Sequence, residues 1–430
     1  MREGLTISSP PTELHLPYGH ASLAALVPAD HPVDVVDPPP TAAVTDDPLG
    51  LVQQAVDAPV GGFSWGVFEG ARSVAIAIND KTRPVPHAHL LPPLLDRLAT
   101  LGVADEAITF YVAVGSHPPM RPDELPAILP ADVLTRYRVV SHDADAADDL
   151  VRLGETSRGT PVWVNRAYSE AERRIVVGNL EPHQFVGFSG GVKSAAIGLA
   201  GRATIDANHA LLAHPHSKIG TYDGNPARQD VEEIGAAIGI HLALNAILDE
   251  DRRIAEVLAG EPVPVMWAGI GRVRERCAVP VSQDYAVVVS SAGGHPKDLN
   301  VYQAQKAVQS AALIVRPGGT IVLVAACPEG SGSEGYEQWV AERRTHRQVL
   351  DDFAAEGFRI GPHKAFQLAR DAQLARIIVV SELPAELADR LLLETAPSVQ
   401  AAIDDALGSL PAGERIAVLP HAPRIIPEVA

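Results

Sequence analysis

The residues able to do chemistry gather in four short loops, each placed directly after an apolar run. In NDKTRPVPH at 79–87, Asp80, Thr82 and Arg83 stand together. An arginine fork suits a carboxylate or phosphate, and Asp80 can orient it or a neighbouring imidazole, although an Asp-Arg surface turn would look the same. In VGSHPPM at 114–120, His117 follows its run immediately. Histidine titrates near neutrality and serves as a general base, and equally as a hydrogen-bonded structural residue. The third loop is the densest, with His183, then GFSGG at 187–191, then Lys193 opening an Ala/Gly-rich segment expected to be helical. Gly187, Gly190 and Gly191 would let backbone N–H groups approach an anion at a helix start. The pattern is not a Walker A loop, because no Gly-Lys-Ser/Thr is present. Beyond it, His209, His214 and His216 crowd together, either as a polar turn or with one of them as a metal ligand. The fourth loop, GGHPKDLNVYQAQKA at 293–307, brings Tyr302, Gln303 and Lys306, with Gln303 and Lys306 on one face of an expected helix. Such a face could hold a carboxylate or simply meet solvent.

These loops need elements to hold them. Short apolar runs at 73–80, 108–117, 173–183, 285–298, 320–330 and 375–382 each end in polar or Gly-rich residues. Helix-like stretches separate them, such as HAHLLPPLLDRLATLG at 87–102. Strands alternating with helices imply an α/β fold with mostly parallel sheets, whose ligands collect beyond the carboxyl ends of the strands. With 430 residues, two domains are expected: residues 1–270, carrying the paired histidines and Lys193, and residues 271–430, adding substrate contacts, with the active site in the cleft between them.

Composition narrows the function. Lys+Arg 35 against Asp+Glu 53 leaves −18, a surplus that repels nucleic acid and anionic membrane, so an anionic ligand needs a local cationic pocket. The two cysteines, Cys277 and Cys327, form no CxxC pair, which argues against a disulfide framework or a cysteine zinc site. No signal-type or membrane-spanning run is evident, and a cytoplasmic protein is expected.

Taken together, DKTRP at 80–84, GSH at 115–117, EPH at 181–183, GFSGGVK at 187–193, NHA at 208–210 and YQAQK at 302–306 resemble the lactate racemase family. The resemblance extends to HKAF at 363–366, most of the chain. It implies a racemase or epimerase of 2-hydroxy acids that uses a nickel-pincer nucleotide. It implies Lys193 as the covalent attachment point, His209 as the protein ligand of nickel, and His117 and His183 as the paired acid/base residues. Asp80, Thr82, Gly190 and Gly191 would attend the cofactor, with Asp80 also supporting the substrate contacts Arg83, Tyr302, Gln303 and Lys306. Cofactor-synthesis proteins would be partners.

The chemistry suits these residue types. Removing an unactivated α-hydrogen as a proton leaves an unfavourable carbanion, whereas moving it as a hydride to a pyridinium ring needs only a base for the hydroxyl proton. Two enantiomers present that hydroxyl on opposite sides, hence two histidines. A conventional NAD-dependent dehydrogenase is the nearest rival, disfavoured because no GxGxxG follows a strand. A non-catalytic carrier of the nickel nucleotide would need Lys193 or His209 but not two bases.

Overall fold

In a computed structural model of the chain, residues 10–40, 46–408 and 410–429 are described. They form two units, one from Thr41–Glu275 and the other from Met1–Pro40 together with Arg276–Ala430. Each is an α/β layer structure around its own six-stranded sheet.

In the Thr41–Glu275 unit the central strand is Val74–Asn79, in which all six residues are buried. Such an unbroken apolar run belongs in a sheet covered on both faces. It pairs in parallel with Ile108–Ala113 on one side and Arg173–Asn179 on the other. Arg138–Ser141 continues one side and Leu242–Leu248 the other, both parallel, and Ile254–Gly260 closes the edge antiparallel. The helices Pro48–Asp57 and His87–Thr100 bury Val52, Val56, Leu90, Leu94 and Leu98 in the same core as Ile76, Ile78 and Phe110.

In the other unit, Glu394–Thr395, Arg376–Val380, Val315–Val324, Tyr285–Ser291, Ile416–Leu419 and Val33–Val35 lie side by side, all parallel. Residues 10–40 group with the chain's second half, where the sequence expectation ran 1–270 as one domain. Two physical causes are visible. Val33–Val35 adds an edge strand to Ile416–Leu419, where Asp34 takes hydrogen bonds from Tyr285 Oη (3.0 Å) and Arg415 Nε (2.8 Å). The hairpin Thr12–Tyr18/Ala21–Val27 alternates, so Leu14, Leu16, Ala25 and Val27 enter the core with Val287, Val289 and Val322, while Glu13 and His15 face water. Toward the chain's second half the division falls at Glu275/Arg276, inside the helix Pro262–Cys277 rather than in a linker. Among the described residues no helix is long and apolar enough to cross a membrane.

Candidate active site

The chain leaves the central strand Val74–Asn79 toward one edge of its sheet and later returns to the other side as Arg173–Asn179. Loops from these two strands therefore diverge at their carboxyl ends, and a crevice opens there for a physical reason, since no crossover fills it. A pocket occupies that place, lined by Asn79, Arg83, His117, Asn179, Lys193 and His209 among others. Three of the four sequence-marked loops meet in it.

Asp80 follows the central strand and is 2% exposed. Its Oδ2 receives His117 Nδ1 at 2.9 Å, and its Oδ1 receives Thr82 Oγ1 at 2.7 Å and Thr82 N at 3.2 Å. Burial pushes this carboxyl up, but the hydrogen bonds from His117 and Thr82 and the charges of His117 and Arg83 outweigh it and hold the group below the usual carboxylate range. One oxygen thus fixes the His117 ring and the other the Thr82 turn. Asp80 and Thr82 both contact His117, Thr82 Oγ1 lying 3.4 Å from His117 Nδ1.

Lys193 is half-buried, and its Nζ has no hydrogen-bond or ion-pair partner among the described residues. Burial, then the charges of Arg83 and Arg228, lower its ammonium to about 7, against a smaller opposing pull from Glu181. Near neutrality a large fraction is therefore free amine, the nucleophilic form. The Arg83 guanidinium is exposed at the pocket and likewise makes no ion pair among the described residues.

His183 is pushed well below the ordinary imidazole range by burial, with Lys193, Arg83, His209 and Arg228 adding repulsion, so it is neutral at physiological pH. Its Nδ1 is buried without a hydrogen-bond partner. The Phe185 ring stands between the two imidazoles, 5.0 Å from His183 and 5.0 Å from His209. Of the three crowded histidines, His209 lines the pocket, whereas His214 and His216 are exposed and pair with each other at 5.4 Å.

The glycine turn at 187–191 makes hydrogen bonds of its own. Phe188 N donates to Val186 O (2.9 Å), Ser189 N to Glu181 O (2.8 Å) and Gly191 N to Asn245 Oδ1 (2.7 Å). These three amides are spent inside the protein, and that of Gly191 is therefore not open to an anion. The helix that Lys193 opens is only Lys193–Ala196, too short to add a useful dipole. Gly187, at φ +77°, is required sterically, since a Cβ would sit 1.9 Å from Thr221 O.

Comparison with known proteins gives this pocket a context. Residues 18–220 match the lactate racemase N-terminal domain, and residues 281–426 match the lactate racemase C-terminal domain. A lactate racemase from Lactiplantibacillus plantarum is 31% identical over 303 residues, covering 70% of this chain and 71% of that protein. This chain belongs to the lactate racemase family. It is accordingly an enzyme, an isomerase of the racemase class. A lactate racemase from Thermoanaerobacterium thermosaccharolyticum is 27% identical over 348 residues, 80% of this chain and 81% of the relative. The lactate racemase apoprotein structure from that organism superposes with a TM-score of 0.87 at 25% identity, covering 97% of this chain and all (100%) of that one. A protein structure from Thermotoga maritima shares the fold at TM-score 0.61 and 16% identity, over 90% of this chain and 98% of the other.

In this racemase the fourth marked loop lies in the other unit. Tyr302, Gln303 and Lys306 open the helix Val301–Ala311, capped by Asn300, whose Oδ1 accepts from Gln303 N at 3.1 Å. Lys306 Nζ donates to Gln303 Oε1 at 2.7 Å, one helical turn apart. Beneath them Lys364 Nζ lies 4.6 Å from the centre of the Tyr302 ring, and burial and the charge of Lys306 lower Lys364 to about 7. Sequence reasoning marked HKAF only as the limit of a resemblance, because a lysine in a helix reads as solvated.

Other polar residues at or next to the pocket also escaped notice. Asn79 and Asn179 end adjacent strands, with Asn79 Nδ2 donating to Asn179 Oδ1 (3.1 Å) and Ser194 Oγ donating to Asn79 Oδ1 (2.8 Å). Their signal was an asparagine closing two apolar runs, where a strand-end turn is the ordinary explanation. Asn245 lies within the strand Leu242–Leu248, 1% exposed. A polar residue inside a buried run is the pattern that could have marked it.

Proposed function

We propose that the protein interconverts the two hands of a 2-hydroxy acid by reversible, proton-coupled hydride transfer, using a nickel-pincer nucleotide carried on Lys193. The observation that carries the reading is the pocket itself, where a free amine, an unpaired guanidinium and two imidazoles meet at the switch point of the sheet.

The residues fit such a group. Lys193, half-deprotonated near neutrality, suits acyl attachment, and the His209 imidazole suits nickel. Among the described residues no three His, Cys, Asp or Glu side chains converge to hold a metal, so a metal at His209 would take its remaining ligands from a bound organic group. When bound, the nucleotide supplies a pyridinium ring that takes up and returns a hydride.

The chain's own residues do the rest. Arg83 clasps the substrate carboxylate through its planar fork. His117, its Nδ1 held by Asp80, presents Nε2 to take the hydroxyl proton of one enantiomer as the carbonyl forms. His183, kept neutral by burial, is ready to do the same for the other hand. Tyr302, Gln303 and Lys306 are assigned to the substrate's polar groups on the family resemblance alone. Cofactor-synthesis proteins are the partners such a nucleotide requires.

The test combines mass and label. Co-expression with cofactor-synthesis enzymes should add an adduct to the protein that Lys193→Ala abolishes. A panel of chiral 2-hydroxy acids identifies the substrate, and turnover in deuterium oxide should leave its α-hydrogen in place. Early deuterium at that carbon would reject hydride transfer in favour of enolisation, whose imidazole-borne proton exchanges with solvent.

A further inference from the structure

We propose that Arg228 is a positioning residue of this site, its guanidinium clamping the 187–191 turn and setting a fixed positive charge behind Lys193. The inference rests on the reading of Lys193 as the reactive amine.

Arg228 is 1% exposed, which is rare for an arginine unless its donors are all used. Nε and Nη2 meet Glu232 Oε1 at 2.9 and 2.5 Å. Nη1 donates to Phe188 O at 3.0 Å, and both terminal nitrogens approach Gly190 O at 3.4 and 3.3 Å. The guanidinium carbon lies 5.3 Å from the Tyr222 ring centre. On the turn side a Cβ at Gly191 would sit 2.9 Å from Nη2, so the fit leaves no room for a side chain. The clamp is reinforced from the same helix, Pro226–Ile238, whose cap Asn225 donates from Nδ2 to Phe185 O at 2.8 Å while its Oδ1 accepts Arg228 N at 3.1 Å. Two neighbours on one helix turn thus hold the carbonyls of Phe185, Phe188 and Gly190.

Only a planar fork reaches a carboxylate and two carbonyls at once, which a lysine's single ammonium cannot do. The charges acting on Lys193 are Arg83 and Arg228, with Glu181 opposing them. The imidazoles of His117 and His209 share its pocket, and His183 feels its charge. Arg83 is the larger of the two charges, and Arg228, buried and paired with Glu232, adds to it from the protein side.

Trace acetylation by acetic anhydride, followed at the Lys193 peptide by mass spectrometry across pH 5 to 10, reads the free amine in the full-length apoprotein. Neither cofactor nor substrate is needed. Wild type should be half-labelled near pH 7. In Arg228→Met the half-point should move upward, with labelling at pH 7 about threefold slower. Arg228→Lys keeps the charge and loses the fork, so its half-point should stay near wild type while hydrogen exchange of the Phe188, Ser189 and Gly191 amides accelerates. A folded Arg228→Met with an unmoved half-point overturns the electrostatic role, and unchanged amide protection in Arg228→Lys overturns the clamp. If Arg228→Met does not fold, Arg228→Lys decides, and protection equal to wild type rejects the proposal. A wild-type half-point near 10 instead removes Lys193 as the reactive amine, a separate failure that also takes this inference with it.

Discussion

At the scale of single residues, the site divides its two bases by environment. His117 is tied to a carboxylate and half open to the pocket, while His183 lies near cations that, after burial, disfavour its protonation. Replacing either with glutamine should cut turnover by about 10²–10⁴-fold, the usual worth of a positioned acid or base, measured as racemisation rate by polarimetry or chiral chromatography. Asp80 adds a pH signature. Its carboxyl ionises at lower pH in the folded chain than in the unfolded one, so near its titration range the folded state binds fewer protons. The stabilisation is complete above the unfolded carboxyl value near ~3.9 and is lost as pH falls through the folded value. Asp80→Asn should therefore melt below wild type at pH 6, with the gap closing toward pH 3. A gap independent of pH would show that Asp80 contributes no ionised hydrogen bond.

At the scale of elements, the turn at 187–191 is the part least tolerant of change. Gly187→Ala meets a backbone carbonyl that cannot swing aside, and adds the cost of a left-handed conformation, about 1–2 kcal/mol for an L-residue. We expect a loss of several kcal/mol, with reduced melting temperature and loss of activity together. Gly62, also at positive φ but with open space around its missing Cβ, is the control, and its alanine variant should lose only the conformational part. Equal destabilisation by the two variants would mean that the Thr221 contact costs nothing.

At the scale of the whole molecule, two properties cross the chain. Buried neutral histidines make stability depend on mild acid. Burial lowers His87 to about 4, only partly offset by its 2.9 Å hydrogen bond to Ile128 O. The unfolded chain takes up that proton near ~6.5, so stability is full above that value and declines as pH falls toward 4, by about 3 kcal/mol for this group. Urea midpoints between pH 7.5 and 4.5 should fall in wild type and fall less in His87→Gln. Topology supplies the second property. Removing residues 1–40 should lower the melting of the unit containing Arg276–Ala430, since Leu14, Leu16, Ala25 and Val27 leave its core. The loss is several kcal/mol, at ~1.5–3 for each larger aliphatic side chain. Calorimetry should then show the Thr41–Glu275 transition unmoved, and parallel loss of both transitions would contradict the division into units.

The alternation of apolar runs with helical stretches, and the polar residues closing each run, already determined an α/β class with ligands at strand ends, because period and burial are local properties of the chain. The residue types in DKTRP, GSH, EPH and NHA likewise marked Asp80, His117, His183 and His209 before any geometry was known. Residue type alone left three histidines at 209–216 open; the resemblance singled out His209, and the fold of that segment places it at the pocket with His214 and His216 exposed. Sequence order could not show that Val33–Val35 joins Ile416–Leu419, because strand pairing across nearly the whole chain leaves no local trace. Nor could it show that the turn's amides are occupied by Val186, Glu181 and Asn245, or that Arg228 closes on its carbonyls. Hydrogen bonds between distant segments depend on where the backbone goes, and a buried arginine and a solvated one have the same letter.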